Sequence, residues 1–135
     1  DAAWKEKTQQ AIDAAVKHFQ GEVKRYETLF RQGDSPVQLD ALRRQLASAN
    51  NQLAWLAGNT NGDLDEALRC SQRSLELRPG SAGYLDTLAH CYYAKGDYQN
   101  AVKNQLEAVS KEPHSAQMQR QLKLFQQSLD KQQPK

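Results

Sequence analysis

Apolar side chains recur along this chain at helical spacing. Over residues 2–32, Ile12, Val16, Phe19, Val23, Tyr26 and Phe30 advance by alternating steps of four and three, which places them on one stripe of a long helix. Charged residues occupy the other faces, with Asp13/Lys17 and Glu27/Arg31 at the supportive i,i+4 spacing. The stretch GDSP at 33–36 predicts a stop and a restart: Gly33 ends the first helix, Ser35 caps the second and Pro36 opens its first turn. From Pro36 to about Ala57 no breaker intervenes, and Leu39, Leu42, Leu46, Ala49, Leu53 and Leu56 hold one face, so a single second helix is expected. At helical rise the two span about 45 Å and about 33 Å. An antiparallel pair then leaves the start of the first overhanging by about 10 Å, with Trp4 on the overhang. Two readings of that end stand open: it frays or packs back on the rest, or Trp4 and its stripe meet a second chain or a further domain.

The second half of the chain writes one pattern twice. GDLDEALRCSQRSLELRP at 62–79 and GDYQNAVKNQLEAVSKEP at 96–113 align so that Gly62/Gly96, Ala67/Ala101 and Pro79/Pro113 are each 34 residues apart. Asp63 and Asp97 are of the type that caps a helix by accepting backbone N–H bonds, and Asp63 with Glu66 has capping-box spacing. Pro79 and Pro113 end their helices, because proline lacks the donor and restrains the residue before it. Small residues repeat at Ala67 and Ala101, then at Ser74 and Ala108. Upstream of the second unit lie Leu85, Leu88, Ala89 and Tyr92; upstream of the first, Leu53, Ala54 and Ala57, displaced by one extra residue in the loop GNTNG at 58–62, where insertion is cheap. After Pro113, Met118, Leu122, Phe125 and Leu129 form one last helical face with no partner behind it.

This period, with its small positions, caps and prolines, resembles the tetratricopeptide repeat family from about Ala47 to Asp130. The resemblance implies an all-α fold, a right-handed superhelix of antiparallel helix hairpins with about six helices, a long N-terminal helix and a C-terminal capping helix that covers the open apolar end. The expected division is 1–46 for a packing hairpin, 47–113 for two repeats (about 47–81 and 82–115), and 114–135 for the capping helix and tail. The sequence departs from the family at Ser71 and Gln105, which stand where aromatics are usual, and at Leu85, where tryptophan is usual.

Composition narrows the function. A net charge of +2 with lysine and arginine interleaved among acids along every helix gives no basic stripe of the kind that grips nucleic acid. No apolar run approaches the roughly 18 residues of a membrane span. The chain starts at Asp1 with neither methionine nor a signal-like apolar core, so it reads as a mature or excised piece of a longer protein whose compartment is unknown. Cys70 and Cys91 fit no disulfide-rich class and no zinc pattern, leaving free buried thiols or one interhelical bridge. His18, His90 and His114 sit at unrelated spacings, and no HExxH, CxxC, phosphate loop or nucleophile elbow occurs. No enzyme activity and no cofactor or metal is expected.

Binding is the better class. In the tetratricopeptide family the first helix of each unit lines a concave face, and the residues that the resemblance puts there are Asn51 and Trp55, then Asp86, His90 and Tyr93, then Arg120 and Gln127. Trp55 and Tyr93 would anchor a ligand, while Asp86 and Arg120 would set its charge preference. Each also has a plain alternative: Trp55 packing on the first helix, Tyr93 as partly exposed filler, Asp86 and His90 as a solvated face. The chaperone-tail clamp of some relatives needs Lys and Asn where this chain has Asn51 with Trp55 and Asp86 with His90, so that clamp is not expected. The expected function is a non-catalytic protein-interaction module that holds a peptide or partner helix in the concave groove. The alternatives are a homodimer or scaffold formed through the first helix, and an accessory domain of a larger enzyme or membrane protein.

Overall fold

A computed structural model describes residues 1–133. These form six helices: α1 (Ala2–Gln32), α2 (Pro36–Gly58), α3 (Leu64–Leu77), α4 (Ala82–Ala94), α5 (Tyr98–Lys111) and α6 (Ala116–Gln132). The first two fall where the apolar stripe and the GDSP break put them. Asp63, Ser81, Asp97 and Ser115 accept a backbone N–H from the residue three positions on, so four consecutive helices begin on a side-chain cap. Ser35 occupies the cap position of α2 without making that bond, and Pro36 supplies the preset first turn instead.

Each helix packs on its chain neighbours, and α2 also meets α4. The result is two layers, with α2, α4 and α6 on one side and α1, α3 and α5 on the other. Close approach between layers is possible because the repeated small residues stand at the contacts: Ala67, Ser74, Ala101 and Ala108 are all fully buried. A cluster of Ala54, Ala57, Ala67 and Cys91 joins α2, α3 and α4. A second, of Leu46, Ala47 and Leu77, takes Val23, Tyr26 and Phe30 of α1 against it. The third gathers Ala89, Ala101 and Phe125 of α4, α5 and α6. Contacts therefore run between neighbours, as in a stacked array.

The two Gly-Asp turns look alike in sequence and differ in backbone. Gly96 adopts φ +80°, and its N–H donates to the Tyr93 carbonyl while that of Asp97 donates to Tyr92. This is the Schellman arrangement, which needs a residue tolerant of the left-handed region. Gly62 has no positive φ. The extra residue in the 58–62 loop lets α2 end at Asn59 and the chain reach α3 by a wider path.

Of the three residues that depart from the family, the polar two are buried rather than expelled, although Ser71 Oγ and Gln105 Oε1 have no hydrogen-bond partner among the described residues. Ser71 and Gln105 are both fully buried. Gln105 Nε2 donates to Asp86 Oδ1 at 2.8 Å and to the Met118 carbonyl at 3.0 Å, so one amide from α5 ties α4 to α6. Burying it without partners would cost on the order of 1–3 kcal/mol.

Candidate functional site

Every residue that the family resemblance nominated lies on α2, α4 or α6. On α2, Trp55 is 53% exposed, so it stands in solvent rather than against α1. Asn51, one turn earlier, is half-buried, and its Oδ1 is buried without a hydrogen-bond partner among the described residues. On α4, Asp86, His90 and Tyr93 are half-buried and engaged with their neighbours. Asp86 accepts the Gln105 bond and lies 3.9 Å from His90 Nε2. The His90 ring meets Phe125 edge-on at 5.3 Å. Tyr93 stacks on the same phenyl ring at 4.6 Å and 26°, and its hydroxyl lies 3.2 Å from Ser128 Oγ.

Phe125 is the reason for this gathering. It is fully buried and projects from α6 into α4, drawing His90 and Tyr93 into aromatic contacts of the favoured edge and offset kinds. The structure thus brings Asp86, His90 and Tyr93 together as a supported wall. Asn51 and Trp55 form a separate pair on the neighbouring helix. Arg120 and Gln127 are exposed on α6, and Asp86 and Arg120 form no ion pair. Tyr93 is therefore packing as well as surface, a dual role that spacing alone did not reveal. Reading the sequence also missed Gln105 as the support beneath Asp86; its signal was a polar residue at a position the pattern reserves for a large apolar one.

The remaining chemistry is quiet. Both thiols are free, which closes the choice left open between free thiols and a bridge. Burial pushes Cys70 up to about 11, and Cys91 likewise, with the Ser71 hydroxyl offsetting part of the rise at Cys91. Neither is thiolate at neutral pH, so neither is a ready nucleophile. Among the described residues no group of His, Cys, Asp and Glu is placed to hold a metal ion, and no helix is long and apolar enough to cross a membrane.

Residues 82–114, covering α4 and α5, match the tetratricopeptide repeat family profile. Over 103 residues, 70% of this chain, the sequence is 32% identical to Cellulose synthase operon protein C of Escherichia coli K12, and equally to its counterpart in strain O157:H7. The match spans 9% of the length of those curated relatives. Among solved structures, the C-terminal TPR-containing domain of a Plasmodium falciparum protein named as an FK506-binding protein superposes with a TM-score of 0.80. It covers 94% of this chain and 83% of that one at 19% identity, a likeness of fold.

Proposed function

The chain belongs to the tetratricopeptide repeat family, whose members are generally non-catalytic protein-interaction modules, and from that premise we propose that it binds a peptide or partner helix across the face of α2, α4 and α6. The observation that carries this reading is Trp55: a large aromatic side chain, 53% exposed, on a helix where the family resemblance puts ligand-facing positions. An exposed tryptophan beside a wall of His90 and Tyr93 offers the amphipathic anchors that dominate interface energetics. Asp86 gives that wall a negative charge, favouring a ligand with a basic group near it. Arg120 would select for acid at the far end.

Selection of peptides from a random displayed library on the immobilised chain tests the reading. Selected peptides should lose about tenfold or more in affinity against Trp55→Ala, with the helical circular dichroism unchanged. Peptides that bind both proteins equally would remove the inner face from consideration. Tyr93→Ala is the weaker test, because it also removes the stack on Phe125.

A second reading is supported by α1. None of its side chains is fully buried, and Trp4 at its start is 68% exposed, which suits a homodimer formed through this helix. Light scattering at high concentration separates the two: a strict monomer ends the dimer reading and leaves the first untouched. The length of the relatives supports a third role, as one module within a longer protein, as the matched stretch is within Cellulose synthase operon protein C.

A further inference from the structure

On the outer layer α1 and α3 run side by side above α2 and leave between them a groove of about 590 Å³. Its apolar floor comes from Val23, Leu53 and Cys70. Two polar struts hold its walls apart: Gln20 Nε2 donates to the Glu66 carboxylate at 3.0 and 3.2 Å, and Arg73 donates to Glu27 at 2.9 Å. These struts engage both acids of the groove without cancelling their charge, since Glu66 meets only a neutral amide and Glu27 Oε2 is buried without a partner among the described residues. Glu27 serves Arg73 and lies 3.9 Å from Arg31, while Glu66 takes the Gln20 amide.

The cations are not consumed. Lys24 on one wall and Arg69 on the other have no carboxylate at ion-pair distance among the described residues. Asp65, one turn before Arg69, is engaged elsewhere: it pairs with Lys95, which holds its carboxyl below the usual carboxylate range first and most, with Arg69 the smallest influence. Two unspent cations thus face each other across an apolar strip. From Gln20 to Arg31 the groove follows α1 for about 16 Å, the span of about five extended residues.

We propose that this outer groove is a second binding surface, independent of the α2/α4/α6 face, for an acidic segment of a protein partner that sets an apolar side chain over Leu53 and its carboxylates on Lys24 and Arg69. A peptide suits it better than a nucleic acid. No aromatic side chain lines the groove to stack a base, and Glu27 and Glu66 would repel a continuous run of phosphates. A peptide can place its carboxylates at the two free cations and leave the struts alone.

The test uses a short fluorescein-labelled peptide with glutamates flanking one leucine, read by anisotropy at low salt. Binding is expected, falling as salt rises, and weakened about tenfold or more by Lys24→Glu with Arg69→Glu. Both side chains are exposed, so circular dichroism should confirm an unchanged fold. Trp55→Ala should leave this affinity unchanged, which separates the outcome from that of the inner face. Three results would each overturn the proposal: no binding of the acidic peptide, equal binding by the charge-reversed protein, or loss with Trp55→Ala instead. A labelled oligothymidylate that binds as tightly, and is lost on the same reversal, would reassign the groove to single-stranded nucleic acid.

Discussion

The two ends of the array are closed in opposite ways. At the C-terminal end α6 is held by one fully buried side chain, Phe125, with His90 and Tyr93 on its ring and the Gln105 amide beside it. At the N-terminal end the longer α1 has no fully buried residue; it lies along α2 on a stripe of half-buried side chains and two polar struts to α3. A plug concentrates its stabilisation in one place, whereas a zipper distributes it. The sequence hints at this, since a heptad stripe spreads contact from Ile12 to Phe30 while α6 has a short face with a single large aromatic.

The sharpest way to break the contrast is Phe125→Ala, expected to cost about 3–5 kcal/mol in urea unfolding. A loss below about 1 kcal/mol would show that α6 is not plugged. Gln105→Leu keeps volume but strands the Asp86 carboxylate, and should cost about 1–3 kcal/mol, whereas a purely apolar account predicts a gain. The third experiment concerns the core shared by both ends. The folded thiols titrate near 11 rather than the ordinary 9.0, so the unfolded chain loses these protons first. Their contribution is complete below pH 9.0 and disappears as pH rises to about 11. Thermal melts across that window should fall more steeply for the native chain than for a Cys70→Ala, Cys91→Ala protein. Glu27→Gln is the mildest: the strut is partly solvent-screened, and its loss should cost well under about 1 kcal/mol, in keeping with a zipper that survives losing one tooth.

Much of this was legible before any coordinates. Steps of four and three, a constant 34-residue offset and the Gly, Ser, Asp and Pro punctuation locate six helices, because helix period and capping are local properties. What escaped was nonlocal. Gln20 with Glu66, and Glu27 with Arg73, lie 46 residues apart on helices whose facing depends on how α2 holds them. Gly62 and Gly96 share a position in the repeat and not a conformation, since one inserted residue changes how the turn closes. Tyr93 was readable as a surface aromatic and not as a stacking partner of Phe125, because that contact requires α6 to lie across α4. The groove on the outer layer has no sequence signature for the same reason.

Both tryptophans of this chain, Trp4 and Trp55, stand largely in water. Their emission in the native protein should already sit near the long-wavelength limit normally associated with denatured chains, so the intrinsic fluorophores are poor witnesses to unfolding. The same circumstance makes them sensitive to anything that covers them. A blue shift on mixing with a tryptophan-free ligand would announce docking at Trp55 without any dye, provided Trp4 had first been replaced by phenylalanine.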